Sequence, residues 1–143
     1  MEDRFKKTVT MLKNYRKLQS KLSMWNLQKE KMKYKFDGVN AIGYEERSSP
    51  THKFNSNVEN EVINRSFDFE VIEKNIIYYE NQIKEIEIAL DMLTERERFI
   101  IEKKYFDKIK NIDIALDLDL TEEYVCDLKR GIVNKLSDIL FLT

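Results

Sequence analysis

Cysteine and histidine are nearly missing from this sequence, with one of each, and breakers are scarce: three glycines and one proline. A single cysteine builds no disulfide framework within one chain, and with a single histidine it falls short of a zinc site's ligand set. Few breakers mean long uninterrupted helices. No apolar stretch approaches the roughly 18–20 residues needed to span a bilayer. The N-terminus is rich in lysine but lacks the apolar centre of a signal peptide, so a cytoplasmic location and no membrane partner are expected. Nor does the sequence gather a nucleophile, a base and an orienting group. His52 stands in a polar stretch with no catalytic partner nearby. No enzyme activity, cofactor or metal is expected.

What remains is a helical composition. Hydrophobic residues make up 42% and charged residues 36% of 143 positions, too apolar for a disordered chain and close to one domain in length. The net charge of −1 hides an asymmetry. Residues 1–36 carry eleven Lys/Arg against three Asp/Glu, and residues 57–93 carry three against nine. Residues 94–143 carry nine against eleven. Partners are therefore to be read from the distribution of charge and not from its sum.

The spacing predicts an all-α fold with two domains: a helical arm over 1–93 and a compact helical domain over 94–143. In the arm, Phe5, Val9, Leu12, Tyr15, Leu22, Trp25, Met32 and Phe36 keep one stripe of a helix over 1–35. Turn formers such as Asp37, Gly38, Gly43, Ser48, Ser49, Pro50 and Asn55 then indicate a loop over 37–56. Ser56 followed by Glu59 fits a capping box, opening a helix over 57–93. From Val62 that helix places Phe69, Ile72, Ile76, Tyr79, Ile83, Ile86, Leu90 and Leu93 on a heptad seam. The seam calls for a partner: the first helix folded back as an antiparallel hairpin, or the same helix of a second copy in a homodimer. Charge complementarity favours the first, and a basic arm against nucleic-acid phosphates is the other use of the N-terminal lysines.

Thr94 and Glu97 form a second capping-box match, followed by helices expected over 95–106, 110–118 and 122–140. In that segment a helix-turn-helix pattern stands in register. Ala115 is the small residue where a second helix crosses, and Asp119 is able to adopt the positive φ of the turn. Leu120 anchors the turn, and Thr121 caps the next helix. Val125, Leu128, Ile132, Leu136 and Ile139 line the inward face. A plain three-helix bundle is the alternative.

The residues Leu93 to Ile101, Lys104-Tyr105-Phe106, Ile114-Ala115, Leu120-Thr121, Val125 and Lys135-Leu136 resemble region 4 of sigma-70-type RNA polymerase sigma factors. Region 4 is the helix-turn-helix that recognises the −35 promoter element. The likeness covers about residues 93–140 without insertion, and nothing resembles the promoter-melting region of a full sigma factor. The layout of the whole chain resembles the small phage and prophage late-gene activators of the ArpU/RinA type. The resemblance implies a sequence-specific regulator that binds double-stranded DNA and recruits or positions RNA polymerase. Two other functions are compatible with the same parts: a polymerase- or regulator-binding protein with little DNA contact, and a phage small terminase subunit.

Position by position, the resemblance sets Thr121, Glu122, Glu123, Tyr124, Cys126 and Asp127 at the groove-facing start of the recognition helix. Lys129 and Arg130 follow one turn on. The chain departs from the sigma pattern at Glu122, where a basic residue commonly stands. Glu122 and Glu123 favour the helix dipole by ~0.3–1 kcal/mol each, and an acid can also accept a hydrogen bond from cytosine N4. Phosphate contacts are therefore expected from Arg96, Arg98, Lys103, Lys104, Lys108 and Lys110 around the preceding helices. Tyr124 fits either the sugar–phosphate backbone or the edge of the core.

Overall fold

A computed structural model describes residues 2–42 and 54–142, with side chains described for 2–35 and 68–142. The described residues are mostly helical, with no strand among them. Six α-helices follow in order: α1 (Glu2–Lys13), α2 (Tyr15–Ile42), α3 (Phe54–Asp91), α4 (Glu95–Ile101), α5 (Asn111–Leu118) and α6 (Glu122–Leu140). A single π-helical turn, Glu102–Phe106, continues α4. The all-α class is as expected. No helix among the described residues is long and apolar enough to cross a membrane.

The chain divides into two compact units, Met1–Gln19 with Asn81–Thr143, and Ser20–Glu80. The expected boundary at 93/94 falls at the break between α3 and α4. The first unit nevertheless draws in the N-terminal residues and the end of α3.

The core of the first unit is built from Leu12, Ile86, Leu90, Ile100, Ile101, Tyr105, Ile114, Val125, Val133 and Leu136, all nearly or fully buried. The α1 stripe explains why the N-terminus belongs here. Phe5, Val9 and Leu12 recur at helical spacing and pack α1 against α6 and the π turn. Thr8 lies in the same stripe, fully buried, and its hydroxyl stays satisfied by donating to the Arg4 carbonyl at 2.8 Å. The first helix, read as continuous over 1–35, is broken only at Asn14. The bonds from Asn14 N–H to Thr10 and from Leu18 N–H to Asn14 carry the ladder across that residue.

In the second unit α2 and α3 lie alongside each other. Lys29 Nζ stands 3.6 Å from Glu73 and 5.8 Å from the Phe69 ring centroid, while Lys21 Nζ stands 5.7 Å over the Tyr79 ring. Rising numbers on α2 meet falling numbers on α3, so the two segments run antiparallel. Seam residues Ile72 and Ile76 are buried here, and Ile83, Ile86 and Leu90 are buried in the first unit, all within one chain.

Residues 37–42 and 54–56 of the expected loop over 37–56 are helical. Helix α2 runs on through Asp37 and Gly38 to Ile42, and α3 begins at Phe54. Ser56 therefore lies in the first turn of α3 and does not precede it, so the Ser56–Glu59 box does not open the helix. One glycine in a helix costs about 1 kcal/mol, which a helix of 28 residues absorbs. Residues 43–53, with Ser48 to Lys53 and His52 among them, lie outside the described residues, as do the side chains of Val58 and Val62.

Candidate nucleic-acid interface

The segment after α3 opens with Thr94. Its hydroxyl accepts the Glu97 N–H at 3.3 Å while the Glu97 carboxylate accepts the Thr94 N–H at 3.0 Å, a complete capping box. The Thr94 N–H, followed by the Lys135 ammonium at 3.3 Å, holds the Glu97 carboxyl below its usual pKa.

Helix α4 gives way to the π turn, which inserts one residue into the ladder. The insertion sets Tyr105 in the core and Phe106 against Tyr15, ring centroids 4.5 Å apart. Lys108 then takes a left-handed conformation (φ 56°), and the Ile109 N–H closes the end by bonding back to Lys103 at 2.9 Å. That bond spans one residue more than the corresponding closure of an α-helix, because the turn it closes is π.

Helix α5 buries Ile114 and Ala115. Ala115 has no side chain beyond Cβ, and at 3% exposure it sits where α5 packs on α6. The link is three residues long. Asp119 adopts φ 56°, ψ 40°, and Leu120 N–H bonds to the Ala115 carbonyl at 2.9 Å, ending α5 in a Schellman closure. Leu120 packs against the core, and the Thr121 hydroxyl accepts the Tyr124 N–H at 3.2 Å. Helix α6 then buries Val125, Ile132, Val133 and Leu136.

The residues expected at the groove fall into different situations. Glu122, Glu123, Asp127 and Arg130 are exposed, with Arg130 Nη1 4.0 Å from Asp127. Asp113, Asp117 and Asp119 are exposed as well, so the surface around the α5–α6 link is acidic. Thr121 is committed to its cap. Cys126 is half-buried, and Asn111 Nδ2 donates to its Sγ at 3.0 Å, so it faces α5. Tyr124 is 47% exposed, and the Arg96 guanidinium lies 5.8 Å over its ring.

The basic residues also divide. Arg98 is occupied by Asp91 at 3.1 Å and Glu102 at 2.9 Å, and Lys103 lies 3.6 Å from Asp107. Among the described residues, Lys108 and Lys110 are exposed without an ion pair, and Lys104 and Lys129 are half-buried without one. Burial, and then the positive charge of Lys104, hold the Lys129 ammonium below the usual lysine range, with Arg130 and Lys13 adding to the effect.

Two features went unread in the sequence. Lys13 belongs with these cations; the signal was the Phe5–Val9–Leu12 stripe, which fits α6 as well as α3. Ile112 and Leu116, 50% and 72% exposed, face outward from α5 beside the acids. Their alternation with buried Ile114 left both faces of that helix looking apolar.

Comparison with protein-family models, curated proteins and solved structures finds no match for this chain.

Proposed function

We propose that this chain is a sequence-specific regulator of transcription, of the phage late-gene activator type, acting in the cytoplasm. It binds double-stranded DNA through the α5–α6 pair and recruits or positions RNA polymerase at promoters. The observation that carries this reading is the α5–α6 link: buried Ala115, left-handed Asp119, anchoring Leu120 and capping Thr121, consecutive and in register. Such a link fixes a second helix across a first so that its outer face is presented to a groove. Exposed Glu123, Asp127 and Arg130 are the side chains offered by that face. Nuclease footprinting tests the reading. Protection on the upstream regions of its own operon, lost steeply as salt rises, is expected. Protection no stronger than on random DNA sinks sequence specificity.

A second reading is favoured by the acids. Asp113, Asp117, Glu122 and Glu123 beside exposed Ile112 and Leu116 make a surface suited to a basic, partly apolar protein face, such as one on polymerase. Polymerase capture that survives Lys129→Ala with Arg130→Ala, with no duplex shift by the unaltered protein, selects this reading over the first. For a homodimer through α3, Ile72, Ile76, Ile83, Ile86 and Leu90 of the heptad seam are already buried within one chain, while Phe69, Tyr79 and Leu93 are half-buried.

A further inference from the structure

The acidic start of α6 raises the question of where cations for DNA phosphates come from, and the structure supplies a group that no single segment displays. Helix α1 packs on α6 and on the π turn. Leu12 at the end of α1, Tyr105 in the π turn and Val133 on α6 enter one core, and Lys13 and Lys104 follow and precede the first two in the chain, with Lys129 one turn before the third. Several other cations of this unit are engaged by carboxylates: Arg16 and Lys103 share the single carboxylate of Asp107, Arg98 holds Asp91 and Glu102, and Lys135 reaches Glu97. Among the described residues, Lys13, Lys104 and Lys129 have no carboxylate partner. Yet they lie near enough that Lys129 feels the charges of Lys104, Arg130 and Lys13. Like charges brought together without a counter-ion cost stability in the free protein. An arriving polyanion reverses the sign of that cost. Arg130, the next residue on α6, is exposed, with Asp127 4.0 Å from its guanidinium, and extends the group toward the face offered to the groove.

We propose that Lys13, Lys104 and Lys129, continued by Arg130, form one composite patch that contacts the phosphate backbone of double-stranded DNA. The N-terminal helix is then part of the DNA-binding surface, carried there by its packing on α6. The proposal rests on the DNA-binding reading above. Duplex phosphate is favoured over an acidic protein because the patch continues along α6 itself, the helix offered to the groove, and a regular polyanion needs no matched carboxylate geometry.

The test uses the full chain and a duplex of random sequence, so that base recognition does not enter. Affinity is measured between about 50 and 200 mM salt for the unaltered protein, Lys13→Gln, Lys104→Gln and Lys6→Gln. Lys6 belongs to α1 but pairs with Glu2 at 3.3 Å and lies outside the patch. Each patch variant is expected to flatten the slope of log affinity against log salt by about 0.9, removing about a threefold share of the salt sensitivity over that range. Lys6→Gln is expected to keep the full slope. Helical circular dichroism matching the unaltered protein keeps a folding defect from imitating the result. Unaltered slopes for Lys13→Gln and Lys104→Gln overturn the patch while leaving DNA binding through α6 intact. Equal flattening by Lys6→Gln also overturns it, reducing the effect to overall charge. No duplex binding by the unaltered protein at low salt overturns the patch and the DNA reading together. Patch variants that bind duplex normally but lose retention on immobilised polymerase reassign these lysines to an acidic protein.

Discussion

Asp119 links α5 to α6 at φ 56°, a conformation that costs an ordinary L-residue roughly 1–2 kcal/mol and an aspartate less, because its short polar side chain bonds locally. Glycine removes the steric cost but adds freedom to the unfolded chain. Asp119→Gly is therefore expected to stay within about 1 kcal/mol of the unaltered stability in urea unfolding. Asp119→Val is expected to lose about 1–3 kcal/mol, since a branched Cβ meets the backbone there. Equal stabilities for the two variants would show that the left-handed link is not what positions α6. Lys129 makes the opposite case, a residue the free protein tolerates at a loss. Its pKa is lowered, so its charged form is penalised in the folded state below that pKa, and the penalty fades as pH rises toward the usual lysine value. Lys129→Gln is expected to raise stability slightly near neutral pH, by relieving the half-buried and crowded ammonium. Chemical denaturation of the pair measures it, and a destabilised variant contradicts the crowded-cation account.

At the scale of elements, local rules were sufficient where the residues that set a boundary lie next to it. Thr94 and Glu97, Ala115 and Asp119, and Thr121 with Tyr124 act within five residues, and the segments expected over 95–106, 110–118 and 122–140 stand within a residue of α4 with its π turn, α5 and α6. The π turn was invisible, because its cause is tertiary: one inserted residue is repaid by seating Tyr105 in the core and Phe106 on Tyr15. The ends of α2 and α3 were misread for the converse reason, since turn-forming composition at 37–42 and 54–56 yields to long helices already nucleated beside it. Tyr15 reports on how these elements meet. Its hydroxyl donates to Glu87 at 2.8 Å, and burial, followed by that carboxylate, pushes its pKa from 10.0 up to about 12. The protonated form is the one the fold stabilises, so its contribution is complete below pH 10.0 and is lost as pH rises to about 12. Tyr15→Phe is expected to flatten that alkaline limb in unfolding measured across the same pH interval. A limb of unchanged steepness would assign it to other groups.

For the molecule as a whole, the sequence separated a basic segment, an acidic seam and a terminal helical module, and the first of these is where periodicity alone left the assignment open. A stripe of Phe5, Val9 and Leu12 says that α1 must be covered, but not by what; only long-range packing assigns it to α6. The consequence reaches stability as well as DNA binding. Leu12 is 1% exposed in a core otherwise supplied by residues from position 86 onward. Leu12→Ala removes a buried side chain and leaves a cavity among Ile86, Leu90 and the α6 residues, which costs about 2–5 kcal/mol. If α1 is integral to the C-terminal helices, that loss appears in the same cooperative transition as the loss from Val133→Ala on α6, and the double variant is coupled instead of additive. A segment of residues 94–143 alone, without Leu12, Ile86 and Leu90, is then expected to show weak helical circular dichroism and a broad thermal transition. A cooperative transition from that segment, at the midpoint of the full chain, would mean that α1 merely rests on a module that folds without it. The lysines of α1 would then reach DNA only as an attached arm.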